Sequence, residues 1–251
     1  MPDQPAIRSL KITDLERIAR FRKAAYGGAI ADVLLKLGVH NTLLSSRFRP
    51  LKQGMQLAGR VLPVKAHSLV FDQLDKAGQD AIKARWDAQG GHPQEQMMRA
   101  IAAAEDGVIV CYDCGGDQRI GHCGEMTCQL ALAQGARGML MAGNLRDSQY
   151  IIRMPDFPVF SFGVCPFTDS EWAITAVNEP IYLPGHLSHY VLLRPRDFLF
   201  GDNDGVQLIP GHLVDEVLLQ VEALSEHENK VRAALTSGMP VAEVYRVFGV
   251  L

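Results

Sequence analysis

Apolar residues in the first third of the chain recur mostly at helical spacing. Residues 12–37 predict a helix that Thr13 caps and that Gly27 and Gly28 break near its middle. Residues 59–64 predict a short strand. Residues 71–105, rich in Gln, Ala, Asp and Lys, predict helical structure with a break at residues 90–93.

From residue 107 onward the apolar positions form short continuous runs, which are typical of buried strands. Residues 108–112 predict such a strand, followed by a glycine-rich loop and a helix over residues 125–134. A second strand at residues 138–141 is expected to lead into a loop over residues 142–147. Further elements are a short helix at 148–154 and strands at 157–160, 172–178, 189–193, 197–201 and 205–209.

The last part of the chain combines a hairpin with a helical end. Residues 202–205, Asp-Asn-Asp-Gly, predict a turn that joins the last two strands. A long helix is expected over residues 211–236, with a short one after Pro240. We therefore predict a single α/β domain. Its expected parts are an N-terminal helical arm (1–58), a core (59–210) and C-terminal helices (211–251).

Composition narrows the class of protein. The chain has 251 residues, 47% hydrophobic residues and a net charge of -3, which suits one large domain. The charged residues are mixed, so we expect no nucleic-acid partner. No apolar run reaches 18 residues and the N-terminus lacks a signal-peptide pattern, so no membrane association is expected. Four of the five cysteines crowd into residues 111–128, which favours a reducing, cytoplasmic location.

Two loops contain residues that could bind a ligand or a metal ion. Residues 121–127 lie between a buried strand and a helix, where free backbone N–H groups bind anions and glycine permits close approach. The alternative is a turn that needs glycine for its geometry alone. Arg146 and Asp147 follow the next strand, and Arg can grip a carboxylate while Asp offers oxygen to Mg²⁺ or Mn²⁺. The alternative is that Asp147 caps a helix and Arg146 is a surface charge.

Other candidate sites are less specific. Cys111, Cys114, Cys123 and Cys128 have spacing that resembles zinc ligands, with His122 nearby, but Cys111 continues an apolar strand and is expected to be a small buried side chain. Asp202 and Asp204 could suggest calcium, although the segment lacks an EF-hand loop and a hairpin turn is favoured.

Glu228 and the lysines bear on mechanism. Glu228 falls on the apolar stripe of the long C-terminal helix, where a carboxylate needs a partner. A local Arg, a neighbouring subunit's site and a partly exposed edge position remain open for it. No lysine lies between Lys83 and Lys230, so a metal-dependent mechanism is favoured over a Schiff-base mechanism.

Taken together, these motifs resemble the RraA-like family, which includes the 4-hydroxy-4-methyl-2-oxoglutarate / 4-carboxy-4-hydroxy-2-oxoadipate aldolases. The resemblance covers most of residues 28–247. The matching segments are Ala29–Leu34, Arg49–Leu51, Gly54, Leu57–Val61, Gly124–Thr127, Gly135–Gly138, Gly143–Asp147, Pro158–Phe160 and Gly201–Val206.

The resemblance implies a swivelling β/β/α sandwich with N- and C-terminal helical arms, assembled as a homotrimer or homohexamer with sites at subunit interfaces. It implies retro-aldol cleavage of a 4-hydroxy-2-oxo acid to pyruvate, with oxaloacetate decarboxylation as a side activity. Asp147 would bind Mg²⁺ or Mn²⁺, while Arg146 and the residues Gly124, Glu125, Met126 and Thr127 would bind the substrate. Glu125 would position a water, and Glu228 is the remaining candidate catalytic residue.

The chain departs from the family pattern at several positions. Ala142 replaces a frequent acidic residue, Arg196 replaces the glycine of a usual Pro-Gly-Asp, and residues 71–105 are longer than usual. His186 and His189 match no family feature. Two alternatives therefore stay open: a non-catalytic regulatory or binding protein on the same scaffold, and a lyase or dehydratase of sugar-derived 2-oxo acids.

Overall fold

The computed structural model describes residues 7–68, 76–88, 90–104, 107–168 and 172–249. The strands are β1 (Arg49–Pro50), β2 (Leu57–Ser68), β3 (Val108–Asp113), β4 (Gly121–Cys123), β5 (Gly138–Leu145), β6 (Val159–Val164), β7 (Trp172–Val177), β8 (Ile181–Pro184), β9 (Tyr190–Leu193), β10 (Phe198–Gly201) and β11 (Val206–Ile209). The helices are α1 (Asp14–Ala24), α2 (Gly27–Lys36), α3 (Lys76–Ala88), α4 (Pro93–Ala103), α5 (Glu125–Ala133), α6 (Ser148–Ile151), α7 (Val214–Thr236) and α8 (Val241–Phe248). No helix in these ranges is both long and apolar enough to cross a bilayer.

Nine of these strands form one mixed sheet in the order β1-β6-β5-β3-β2-β10-β11, with β4 also paired to β5 and β7 to β2. Its centre is parallel, because β2, β3, β5 and β6 run in the same direction. Strands β10 and β11 extend it as an antiparallel hairpin. The carboxyl ends of β4 and β5 therefore lie side by side, which is where ligand sites form in such sheets.

Both faces of the sheet are covered. Leu62 and Val64 of β2 pack in a core cluster with residues of α4 and α5. Leu57 and Val61, which alternate with them, pack in the cluster that includes the β8–β9 hairpin. A third cluster joins Phe198 and its neighbours in β10 and β11 to α1, α2 and α7. This alternation explains the apolar runs of the sequence, since strands buried on both faces need apolar side chains throughout.

The start of α1 is set by its local sequence, whereas the start of α2 is set by a contact with a distant residue. Thr13 caps α1 as predicted, in a capping box with Glu16. The predicted break at Gly27 and Gly28 was wrong by two residues, because the chain bends at Ala25 and Tyr26 and Gly27 opens α2. The Gly27 N–H donates to the Asp202 carboxylate over 2.7 Å, an approach that a side chain at Gly27 would crowd.

The hairpin prediction is confirmed, because residues 202–205 join β10 to β11 and the Asp202 N–H donates to the Gly205 carbonyl over 3.0 Å. The Asp202 carboxylate accepts from the amides of Gly27 and Asp204. That carboxylate therefore joins α2 to the hairpin, which is a structural role for Asp202.

Several strand predictions needed correction. The predicted loop over residues 142–147 is strand as far as Leu145, so β5 is four residues longer than expected. The glycine-rich loop contains β4, and β8 lies in a stretch where no strand was predicted. The strand β1 was also missed. Each missed strand has only two to four residues, too few to show a pattern along the sequence.

Candidate functional site

The two predicted loops meet at the edge formed by the ends of β4 and β5. The Arg146 N–H donates to the Cys123 carbonyl over 2.9 Å, which closes the pairing of the two strands. Gly124 follows β4 directly and Arg146 follows β5 directly. The strand pairing therefore brings together two motifs that lie 22 residues apart in the sequence.

Gly124 permits the close approach of these loops. Its backbone is extended, with φ -112° and ψ -175°, so glycine is not needed there for its conformational freedom. A β-carbon added at Gly124 would lie 2.3 Å from Asp147 Oδ2 and 3.1 Å from Arg146 Nε. Glycine is thus required by space, because the Arg146–Asp147 loop lies against it, and anion binding by residues 121–127 stays a prediction.

Helix α5 begins at this point, and its first amide groups make no hydrogen bond within the helix. The first helical bond runs from the Cys128 N–H to the Gly124 carbonyl over 3.3 Å, so the amides of Glu125, Met126 and Thr127 precede the ladder. The Glu125 N–H donates to Asp147 Oδ2 over 3.3 Å. The end of the helix that attracts anions therefore faces Asp147.

Asp147 occupies the N-cap position of α6, but its side chain makes no capping hydrogen bond there. Its backbone is left-handed, with φ 58° and ψ 28°, a conformation that non-glycine residues adopt uncommonly. The carboxylate instead points to α5 and lies 3.7 Å from Arg146 Nε. With the two side chains 42% and 44% exposed, both remain accessible to a ligand.

The other predicted substrate-binding residues differ in exposure. Met126 is 65% exposed and Glu125 is half-buried, while Thr127 is buried. Gln94 Nε2 donates to Thr127 Oγ1 over 3.3 Å, which attaches the first turn of α4 to the first turn of α5. The sequence pattern gave no reason to place Gln94 at the site, because the contact joins two elements that are distant along the chain.

The structure places Glu228 in a different environment. Its carboxylate accepts hydrogen bonds from the Tyr26 hydroxyl and, over 2.6 Å, from Arg232 Nη2. It lines a cavity of about 520 Å³ between α2 and α7 that also holds Lys36 and His227. Within one chain, then, Glu228 has the local Arg partner that was one of its three alternatives. These hydrogen bonds join Glu228 to Tyr26 and Arg232 rather than to Arg146 or Asp147.

The four clustered cysteines lie in the core. Cys111, Cys114, Cys123 and Cys128 are buried, and Cys114 Sγ lies 3.2 Å from Met141 Sδ. Burial raises the pKa of the Cys123 thiol to about 12 and also raises the pKa of the other three. In the described ranges, no three His, Cys, Asp or Glu side chains are grouped so as to hold a metal ion. The thiols therefore act as small apolar side chains.

The site thus combines an anion-attracting helix end, a guanidinium group and one exposed carboxylate within a few ångströms. Comparison with known proteins shows the family to which the chain belongs. A family model described as RraA-like, Aldolase/RraA, matches residues 28–208. The chain is 26% identical over 210 residues to protein DlpA of Legionella pneumophila, covering 83% of this chain but only 30% of DlpA.

Two further matches are informative. The chain is 25% identical over 149 residues to a Halalkalibacterium halodurans protein named "Putative 4-hydroxy-4-methyl-2-oxoglutarate aldolase", covering 59% of this chain and 68% of that protein. In structure it resembles RraAS2 of Streptomyces coelicolor, described as an unusual member of the RNase ES inhibitor RraA protein family. That likeness has a TM-score of 0.65 at 18% identity and covers 89% of this chain and 99% of RraAS2, so it shows the fold. The predicted fold class is confirmed, and the chain belongs to the RraA-like family.

Proposed function

We propose that this chain is a divalent-metal-dependent lyase that cleaves a 4-hydroxy-2-oxo acid to pyruvate by retro-aldol chemistry. One observation carries the proposal: at Gly124 the backbone lies so close to Asp147 and Arg146 that a β-carbon would not fit. Such an approach brings amide donors, a guanidinium and a carboxylate around one small space. The aldolase name of the H. halodurans relative agrees with this chemistry.

The residues at the site fit a hard divalent cation. Asp147 presents an exposed carboxylate, and the absence of a side chain at Gly124 leaves the space that this carboxylate occupies. Mg²⁺ commonly binds through one or two carboxylates and keeps several of its waters, so a single Asp is a sufficient protein ligand. When bound, Mg²⁺ or Mn²⁺ would stabilise the negative charge that develops on the 2-oxo oxygen.

The side chains and amides would orient the substrate. Arg146 can donate two parallel hydrogen bonds to a carboxylate, and the first-turn amides of α5 add further donors. The Glu125 carboxylate, acting through a water, would take the proton of the C4 hydroxyl as the C3–C4 bond breaks. The electron pair of that bond passes to C3, giving the enolate of pyruvate, which then takes a proton at C3. Oxaloacetate decarboxylation would use the same enolate.

The proposal includes assembly into a homotrimer or homohexamer. Within one chain, Glu228 contacts Tyr26 and Arg232 rather than Arg146. A catalytic role for Glu228 therefore requires that a second copy brings its C-terminal helix to the Arg146 site. The oligomeric state, measured by light scattering, tests this part separately.

A second candidate is a regulatory or binding protein without catalysis. The fold likeness to RraAS2 supports it, because that protein is described as a member of an RNase inhibitor family. A binding surface would not need an exposed Asp147 beside Arg146 and a helix N-terminus. The site geometry therefore favours the lyase.

The deciding experiment measures pyruvate release from a panel of 4-hydroxy-2-oxo acids and from oxaloacetate, with Mg²⁺, with Mn²⁺ and with excess chelator. We expect metal-dependent release that Arg146→Ala abolishes. Lys23→Ala is a matched control, because Lys23 is an exposed cation in the last turn of α1. No pyruvate from any substrate at any metal concentration would reject the lyase and favour the regulatory alternative.

A further inference from the structure

His122 is a buried titratable residue directly behind the candidate site. It is the middle residue of β4, and its side chain is only 1% exposed. It lies two residues before Gly124, and the carbonyl that it contacts, that of Asn144, lies two residues before Arg146. A side chain in this position links the two strands whose ends carry the site.

The ring of His122 fits against β5. Its Nδ1 lies 3.4 Å from the Asn144 carbonyl oxygen. A carbonyl oxygen only accepts, so Nδ1 must carry the hydrogen of this contact. A β-carbon added at Gly143 would lie 3.0 Å from Nδ1 and 3.1 Å from Cε1, so the ring rests directly on the backbone of Gly143.

The pairing that this contact supports is short. Strand β4 has three residues, and its register against β5 shifts between Gly121 and Cys123. Few backbone hydrogen bonds therefore fix the distance between Gly124 and Arg146. Asn144 is held from its other side as well, because its Nδ2 donates to the Gln118 carbonyl over 2.5 Å.

Two charged groups near His122 are Asp117 and Arg119. Asp117 Oδ2 lies 3.8 Å from His122 Nε2, and Arg119 Nε donates to Asp117 Oδ1 over 3.0 Å. Burial is the largest effect and lowers the pKa of His122. The Asn144 carbonyl and Asp117 raise this pKa, whereas Arg119 lowers it further. The neutral ring is therefore the form that fits the site near pH 7.

We propose that His122 is a positioning residue, which holds the α5 amides and Arg146 in their mutual geometry through its contact with the Asn144 carbonyl. The expected effect of His122 on turnover rests on the proposed function, whereas its expected effect on the strand pairing does not. Protonation of the ring would place a cation in the space behind both loops. The arrangement of the site would then depend on pH through His122.

Two substitutions separate the contact from the volume of the ring. In His122→Asn, the amide nitrogen can take the position of Nδ1 and still donate to the Asn144 carbonyl. In His122→Leu, an apolar side chain fills much of the space without a donor. Val221→Ala is the matched control, because Val221 is fully buried in α7 and its loss lowers overall stability away from the site.

Hydrogen exchange of the Arg146 amide, which is bonded to the Cys123 carbonyl, gives a readout that needs no activity. We expect His122→Leu to lose protection there, while His122→Asn and Val221→Ala keep it. On a cleaved substrate, kcat of His122→Leu should fall about 10- to 100-fold with KM less affected, and His122→Asn should restore it. Because the pKa of His122 is lowered from its ordinary value, wild-type activity should decline only at a pH below that ordinary value, and His122→Asn should remove this decline.

Unchanged protection of the Arg146 amide in His122→Leu would overturn the inference, as would equal kinetic loss in the Asn and Leu variants. If the wild-type chain releases no pyruvate but His122→Leu still loses protection, the proposed lyase fails and the positioning role stands. If wild type is active and protection is unchanged, the lyase stands and the positioning role fails.

Discussion

The backbone N–H of Glu125 donates to Oδ2 of Asp147, with 3.3 Å between nitrogen and oxygen. This bond joins the start of α5 to the residue that follows β5 and Arg146. Because the N-terminus of a helix carries partial positive charge, it attracts the Asp147 side chain. The same bond turns the Asp147 side chain away from capping α6 and towards the space beside Gly124.

Gly124→Ala tests whether that space is needed. The added β-carbon would lie 2.3 Å from Asp147 Oδ2, so the carboxylate must move. Alanine adopts the extended backbone of Gly124 without strain, and the fold should therefore survive. We expect kcat/KM to fall about 100-fold, which is the typical result of misplacing a site group by about 1 Å. Thermal unfolding close to wild type would serve as the control, and near-normal turnover would show that the close approach is dispensable.

Asp147→Ala tests the metal. We expect this variant to lose both pyruvate release and its response to added Mg²⁺ or Mn²⁺, because the side chain is the proposed protein ligand. Calorimetric titration with Mn²⁺ should show weaker binding than in wild type. Full turnover of the wild-type chain in excess chelator would instead mean that no metal is required.

Local signals predicted much of the fold. The Thr13 cap and the buried strand at residues 108–112 depend on neighbouring residues, and both appear as expected. The start of α2 was misplaced because it depends on Asp202, which is 175 residues from Gly27 in the sequence. A pattern of apolar positions carries no information about such a contact.

The candidate site was predicted only in part for the same reason. The sequence suggested a glycine loop and an Arg-Asp pair, and the structure brings Gly124 next to Asp147. The sequence could not show that Gln94 contacts Thr127 or that His122 lies behind Gly143, because both contacts arise from packing between separate elements. Whether these residues act in catalysis stays a prediction for the experiments above.

Glu216 provides a prediction about pH. Hydrogen bonds from Arg8, and then from Gln220, lower the pKa of Glu216 to about 2 from its ordinary value of 4.5. A lowered pKa contributes stability above about pH 4.5, and that stability is lost as the pH falls towards about 2. Since Arg8 is 56% exposed, solvent screens the pair, and we expect Glu216→Gln to cost about 1 kcal/mol at pH 7. Urea unfolding should show this difference vanish near pH 2; a constant difference would contradict it.

The buried cysteines give a prediction about stability and zinc. Serine at Cys128 would bury a hydroxyl in an apolar core, and we expect a cost of about 1–3 kcal/mol in the free energy of unfolding. Cys128→Ala is the matched variant without a polar group. A four-serine variant at Cys111, Cys114, Cys123 and Cys128 should have the same zinc content as wild type by elemental analysis. Stoichiometric zinc that disappears in that variant would revive the zinc alternative.

Arg146→Lys should fail although it keeps the positive charge. Arg146 lies on the bend after β5, 42% exposed, where its guanidinium can hold a carboxylate with two parallel hydrogen bonds. Lysine is a single point charge of different reach, so it cannot reproduce that planar contact. If Arg146 acts mainly in the transition state, kcat and kcat/KM should fall together, by about 10²–10³. Aldol cleavage and oxaloacetate decarboxylation should decline in parallel, because both pass through the enolate of pyruvate. Circular dichroism should show an intact fold, and near wild-type turnover on both substrates would mean that Arg146 is an ordinary surface charge.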